Sequence, residues 1–178
     1  MPYKSALWCG AVTIIIAIFT LTVWPQLTLL NLILNPILLW ILIVSIRFGL
    51  PVGFLTVAVA GLIYQAMSVI TGEIVLATYT LVILCTWAIR RRWLTTHSTL
   101  SLIAAISFGS GLYYLLIFIC VTAQRALNPL TLVPLWAIWF LTGFIQLLIH
   151  PLLGWIIFRL TGTPKRSASI ITQTSIAP

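Results

Sequence analysis

Acid–base, nucleophilic and metal chemistry all require a few ionisable side chains held close together, and this chain supplies almost none. Glu73 is the single Asp or Glu among 178 residues, and His97 and His150 are the two histidines. A paired-carboxylate site is therefore excluded within the chain, no Asp remains to orient a histidine, and no ligand cluster suits a catalytic metal. Cys9, Cys85 and Cys120 show no CxxC spacing, and each lies inside an apolar run. That is the position of a small packing residue rather than of a disulfide or a ligand. His97 follows a run of arginines and reads as a solvated loop residue. His150 stands beside Pro151, at the expected inner edge of a span. An ionisable group inside a membrane is a functional candidate, but at the edge a histidine packed under a proline kink is the simpler reading. No catalytic, cofactor-binding or metal site is expected, and the chain reads as a non-enzyme.

The elements that would position these residues follow from composition. The chain is 62% hydrophobic and 6% charged, whereas a soluble domain carries about 25% charged residues. Too few ionic groups remain to cover a water-facing surface. A helix needs about 20 apolar residues to cross a hydrocarbon core of about 30 Å, whereas a barrel strand alternates apolar and polar over about 10. Runs such as Ile14-Ile15-Ile16 and 112–121 are apolar on all sides. The expected fold class is all-α: a polytopic integral membrane helix bundle of about six transmembrane helices. Residues 1–160 form the helical domain, and 161–178, rich in Ser, Thr and Pro, form a disordered tail.

The expected spans are Leu7–Trp24, Leu27–Ile46, Pro51–Ile70, Ile74–Ile89, Leu100–Thr122 and Leu130–Ile149. The first is longer than a signal-peptide core and is followed by a poor cleavage site, so it reads as a retained span. Asn31, Asn35 and Pro36 interrupt the second, which is expected either to be covered by neighbouring helices or to begin near Pro36 as a short, partly re-entrant segment. Beyond His150-Pro151 the apolar character continues to Leu160. That stretch is expected to kink away and either lie along the interface or extend into the cytoplasm, with Arg159 as its anchor. Six spans place Lys4, Arg47, Arg90, Arg91, Arg92, Arg159, Lys165 and Arg166 on one side and only Arg125 on the other, so both termini are expected to be cytoplasmic.

Two local patterns stand out. Gly53, Val57, Gly61 and Gln65 share one helical face, where small residues allow close backbone approach; this is a partner-docking or helix-packing face. Arg90, Arg91 and Arg92 with Trp93 form a topology and lipid anchor, with a cytoplasmic partner contact as the alternative. Acids or histidines in mid-membrane, which proton-driven transport requires, are not expected.

The order of these features resembles the bacterial rod shape-determining MreD family of small membrane proteins. The resemblance rests on Asn35-Pro36-Ile37-Leu38-Leu39-Trp40, on the glycines from Gly53 to Gly61 and on the turn Ile70-Thr71-Gly72-Glu73. The late proline in Ile149-His150-Pro151-Leu152-Leu153 completes it. It covers Pro36 to Arg166, through motifs that punctuate many membrane proteins. Where the family commonly carries an acid after the glycine face, this chain has Gln65. The resemblance implies a non-enzymatic, multi-pass inner-membrane component of the machinery that builds lateral cell wall. Its partners would be membrane lipid, MreC-like proteins and wall-synthesis proteins. A competing reading is the substrate-binding S component of an energy-coupling factor type importer, with Ala6, Gly10, Thr13 and Ala17 as a docking stripe. Short outer loops with few polar groups argue against it.

Overall fold

The computed structural model describes residues 2–27, 34–67, 72–92, 99–127 and 136–161. Six α-helices account for nearly all of them: α1 (Pro2–Thr22), α2 (Pro36–Phe48), α3 (Leu50–Met67), α4 (Gly72–Arg92), α5 (Thr99–Leu127) and α6 (Trp136–Thr161). A 3₁₀ turn, Trp24–Gln26, closes the first segment. Five of the helices are long and apolar enough to cross a membrane. The chain is an all-α, multi-pass membrane bundle.

The remaining helix, α2, departs from the expected pattern. α2 has 13 residues, which at about 1.5 Å per residue spans about 20 Å and falls short of the hydrocarbon core. It nevertheless forms the centre of the molecule. Nine of its residues, Ile37 to Leu39 and Ile41 to Ile46, are buried. It packs against each of the other five helices, and α1, α3, α4, α5 and α6 are linked neighbour to neighbour around it. The expected second span, Leu27–Ile46, is thus replaced by a helix starting at Pro36, within the part of that expected range that the structure describes. Both features foreseen for it, neighbours that cover it and a start at Pro36, are present. Pro36 occupies the first helical position, where its missing N–H is no loss. The Asn35 side chain caps the helix by accepting from the Leu38 N–H at 3.1 Å. The Trp24 indole donates to the Leu34 carbonyl at 3.0 Å, holding the non-helical backbone before the cap. Such backbone is tolerated at membrane depth only where protein covers it.

At the other end α2 turns directly into α3 through Gly49, whose φ of +90° is one that side-chain-bearing residues rarely adopt. The tight return brings Gly53 against α2: a Cβ there would lie 2.9 Å from the Ser45 Cβ. Antiparallel pairing of α5 and α6 is fixed by three contacts in register. Gly143 faces Tyr114, Gly111 faces Leu147, and Gly154 faces Ile106.

α6 corrects the expected last span. It runs from Trp136 to Thr161 as one helix with Pro151 inside it, and its apolar stretch is Phe140–Leu160. The residues after His150 do not leave the bundle: Gly154 and Phe158 are buried in it. Pro151 removes one helical hydrogen bond, a local cost that the packing of α6 against α5 outweighs. His150 therefore lies at the midpoint of a crossing, not at its inner edge. Trp93, His97, Asn31 and the expected tail beyond Thr161 lie outside the described residues.

Candidate functional site

Polar side chains gather where α2 begins. Asn35, the cap residue, donates its own backbone N–H to Nε2 of His150 at 3.1 Å. Nδ1 of the same ring lies 2.9 Å from the Ser110 hydroxyl. A backbone N–H can only donate, so Nε2 must be the accepting nitrogen and Nδ1 carries the proton. The imidazole thus takes the neutral Nδ1–H tautomer and donates to Ser110. His150 and Ser110 are both fully buried.

This assignment bears on chemistry. A serine 2.9 Å from a histidine has the spacing of a nucleophile and its base. Activation would need an unprotonated nitrogen facing the hydroxyl. Here that nitrogen bears the proton and the free lone pair is spent on Asn35, so Ser110 is an acceptor and is not activated. What the ring does instead is satisfy a helix N-terminus in the middle of the bundle.

Around this core lies a second set of polar groups. One turn before His150, Gln146 accepts a hydrogen bond from the Tyr114 hydroxyl through its side-chain oxygen. Tyr113 stacks on Tyr79 with ring centroids 5.3 Å apart and planes 9° apart. The hydroxyls of Tyr79 and Tyr113 are within hydrogen-bonding reach of each other and of the Asn35 side chain, and Tyr64 reaches Tyr79. Tyr79 and Gln146 are nearly inaccessible. Helices α2 through α6 each contribute to this cluster. It sits about 20 Å from the α2 C-terminal end, at 1.5 Å per residue. Sequence reasoning singled out Asn35 and His150 and passed over the tyrosines and Ser110. The adjacent pair Tyr113-Tyr114 in the middle of an apolar run was the available signal.

The remaining predicted residues are placed as follows. Gly53, Val57 and Gly61 face inward and are buried, Gly53 against Ser45 and Gly61 against Leu76. Gln65, on the same stripe, is exposed. Three quarters of the face is thus engaged in packing α3 against its neighbours. The α1 stripe is likewise turned inward at Thr13 and Ala17, both fully buried, with Thr13 accepting from the Trp40 indole at 3.0 Å. Of the basic cluster, Arg90 is directed inward and donates to the Ile46 carbonyl at 2.6 Å, closing the C-terminal end of α2. Arg91 is exposed and lies over Trp87. The backbone of Arg92 ends α4, and its side chain lies outside the described residues, as does Trp93. Among the described residues no group of three His, Cys, Asp or Glu could hold a metal ion. The three cysteines are free.

No family model matches this chain, and comparison with curated proteins and with solved structures returns no match.

Proposed function

We propose that this chain is a non-enzymatic scaffold of the inner membrane, an MreD-like component of the machinery that elongates the lateral cell wall. The observation that carries the proposal is where the motifs of the resemblance meet. Asn35-Pro36 begins the central helix, His150-Pro151 on α6 caps it, and Gly53 lets α3 pack against it. These are the elements that define the bundle. In addition, the polar groups at its centre bond to one another rather than standing ready for a reaction. Such a protein acts through the surfaces it presents, and its partners would be MreC-like and wall-synthesis proteins. The test is complementation in a rod-shaped bacterium deleted for its own MreD, with co-purification of MreC in mild detergent. Restored rods and recovered MreC are expected. Persistent spheres, from cells in which the protein is inserted in the membrane, would refute the proposal.

A different observation favours a second reading, the S component of an importer. Convergent polar contacts were the feature that reading lacked in the sequence, and Asn35, Tyr64, Tyr79 and Tyr113 supply such a group at mid-depth. A half-helix beginning inside the membrane is also how many transporters bind their solutes. Native mass spectrometry of the purified protein decides it. A small metabolite retained by wild type and lost in Tyr79→Phe supports import, and a spectrum of protein and lipid alone removes it.

A further inference from the structure

We propose that Arg91 and Arg159 form two separate seats for the phosphate of anionic phospholipids, while Arg90, although adjacent to Arg91, takes no part. The two seats are built alike. The Arg91 guanidinium carbon lies 5.3 Å from the centre of the Trp87 ring, and that of Arg159 lies 5.3 Å from the centre of Trp155. In each case the indole precedes the arginine by one helical turn, and the arginine is exposed at the last turns of a membrane-spanning helix. The Arg90 bond to Ile46 places the end of α4 beside the end of α2. The antiparallel register of α5 and α6 returns the end of α6 to the same side, level with the start of α5. Both seats therefore open at one face of the bundle.

Charge identifies the occupant. The chain has one acidic side chain, Glu73, at the opposite end of α4. Eighteen positions separate it from Arg91, about 27 Å along the helix, so the one acidic residue of the sequence stands at the far end of α4 from that guanidinium. An arginine held on an aromatic face keeps in-plane N–H groups that match phosphate oxygens two at a time. A tryptophan at the end of a span lies at headgroup level. The ligand that arrives at that level with a phosphate and a net negative charge is an anionic lipid. Arg90 has the same charge but is half-buried and committed to the Ile46 carbonyl; its role is to close α2. This inference is independent of both functional readings.

The test uses the full chain in nanodiscs of phosphatidylglycerol and phosphatidylcholine, with retained lipid read by native mass spectrometry after detergent extraction. Wild type is expected to retain the anionic lipid preferentially. Arg91→Gln and Arg159→Gln should each lower that preference about fivefold, as expected for about 1 kcal/mol per surface cation, and the double variant should abolish it. Arg90→Gln should keep the preference and lower the thermal midpoint. Arg91→Lys and Arg159→Lys, which keep the charge, provide folded comparators if a Gln variant is poorly produced, and they should lose part of the preference. An unchanged preference in the double Gln variant, or an equal loss in Arg90→Gln, would overturn the proposal. So would displacement of the lipid by millimolar inorganic phosphate, which would make the seats sites for a soluble anion.

Discussion

Replacing His150 by leucine removes the imidazole while keeping a side chain of similar bulk in a fully buried position. Two hydrogen bonds are lost. The Asn35 N–H, 3.1 Å from Nε2, loses its acceptor, and an unsatisfied buried donor costs about 1–3 kcal/mol. Ser110 loses its donor from Nδ1. Its hydroxyl can fold back onto a carbonyl of its own helix, so that loss is nearer the membrane average of about 0.6 kcal/mol. The expected destabilisation is about 1.5–3.5 kcal/mol. It should be largest at the start of α2, where hydrogen exchange at residues 35–38 should rise first. Equilibrium unfolding in bicelles, measured for His150→Leu, Ser110→Ala and the double variant, separates the two bonds. Coupling between the single changes should be about 0.6–1.7 kcal/mol, with the remainder belonging to the Asn35 contact. A His150→Leu protein as stable as wild type to within about 0.5 kcal/mol, with unchanged exchange at α2, would show that the imidazole does not hold the helix end.

Other substitutions probe the packing. Gly61→Leu must displace Leu76, since even a Cβ would lie 2.9 Å from its Cδ1; overpacking of this kind costs about 1–3 kcal/mol. A lower thermal midpoint of the isolated protein is expected, and an unchanged midpoint would return that face to partner docking. Thr86 has a buried hydroxyl with no hydrogen-bond partner, so Thr86→Val should leave thermal stability unchanged or raise it. A clear loss would mean that the hydroxyl has a partner in the membrane. Trp40→Phe removes the 3.0 Å bond to Thr13 that ties α2 to α1 and should cost about 1 kcal/mol in the same unfolding assay. Absence of any effect would assign the contact to ring packing alone.

Much of the architecture could be read from residue order because the membrane simplifies the problem. Apolar runs between Lys or Arg residues admit one secondary structure, and five of the crossings follow from length and composition. The interruption at Asn35-Pro36 was equally plain, because a side-chain cap followed by proline is a local signal. The last helix was misread for an instructive reason. Pro151 is a helix breaker by local rules, yet α6 continues through it, because α5 packs alongside and one missing N–H is a small loss against a whole buried face. Shifting that span also moved His150 from an assumed edge to the centre.

The sequence alone determined what solvent this protein requires, that it folds as long apolar helices and which of their ends carry charge. Those properties depend on composition summed along contiguous segments. Tertiary structure decided which segment lies at the centre and what its polar residues do. α2 is the shortest α-helix among the described residues and has one side chain from a distant helix on its cap, with His150 and Asn35 separated by 115 positions. No local pattern encodes that pairing. It exists because a helix end buried away from water must find a partner for its N–H, and only the packed bundle brings one within reach.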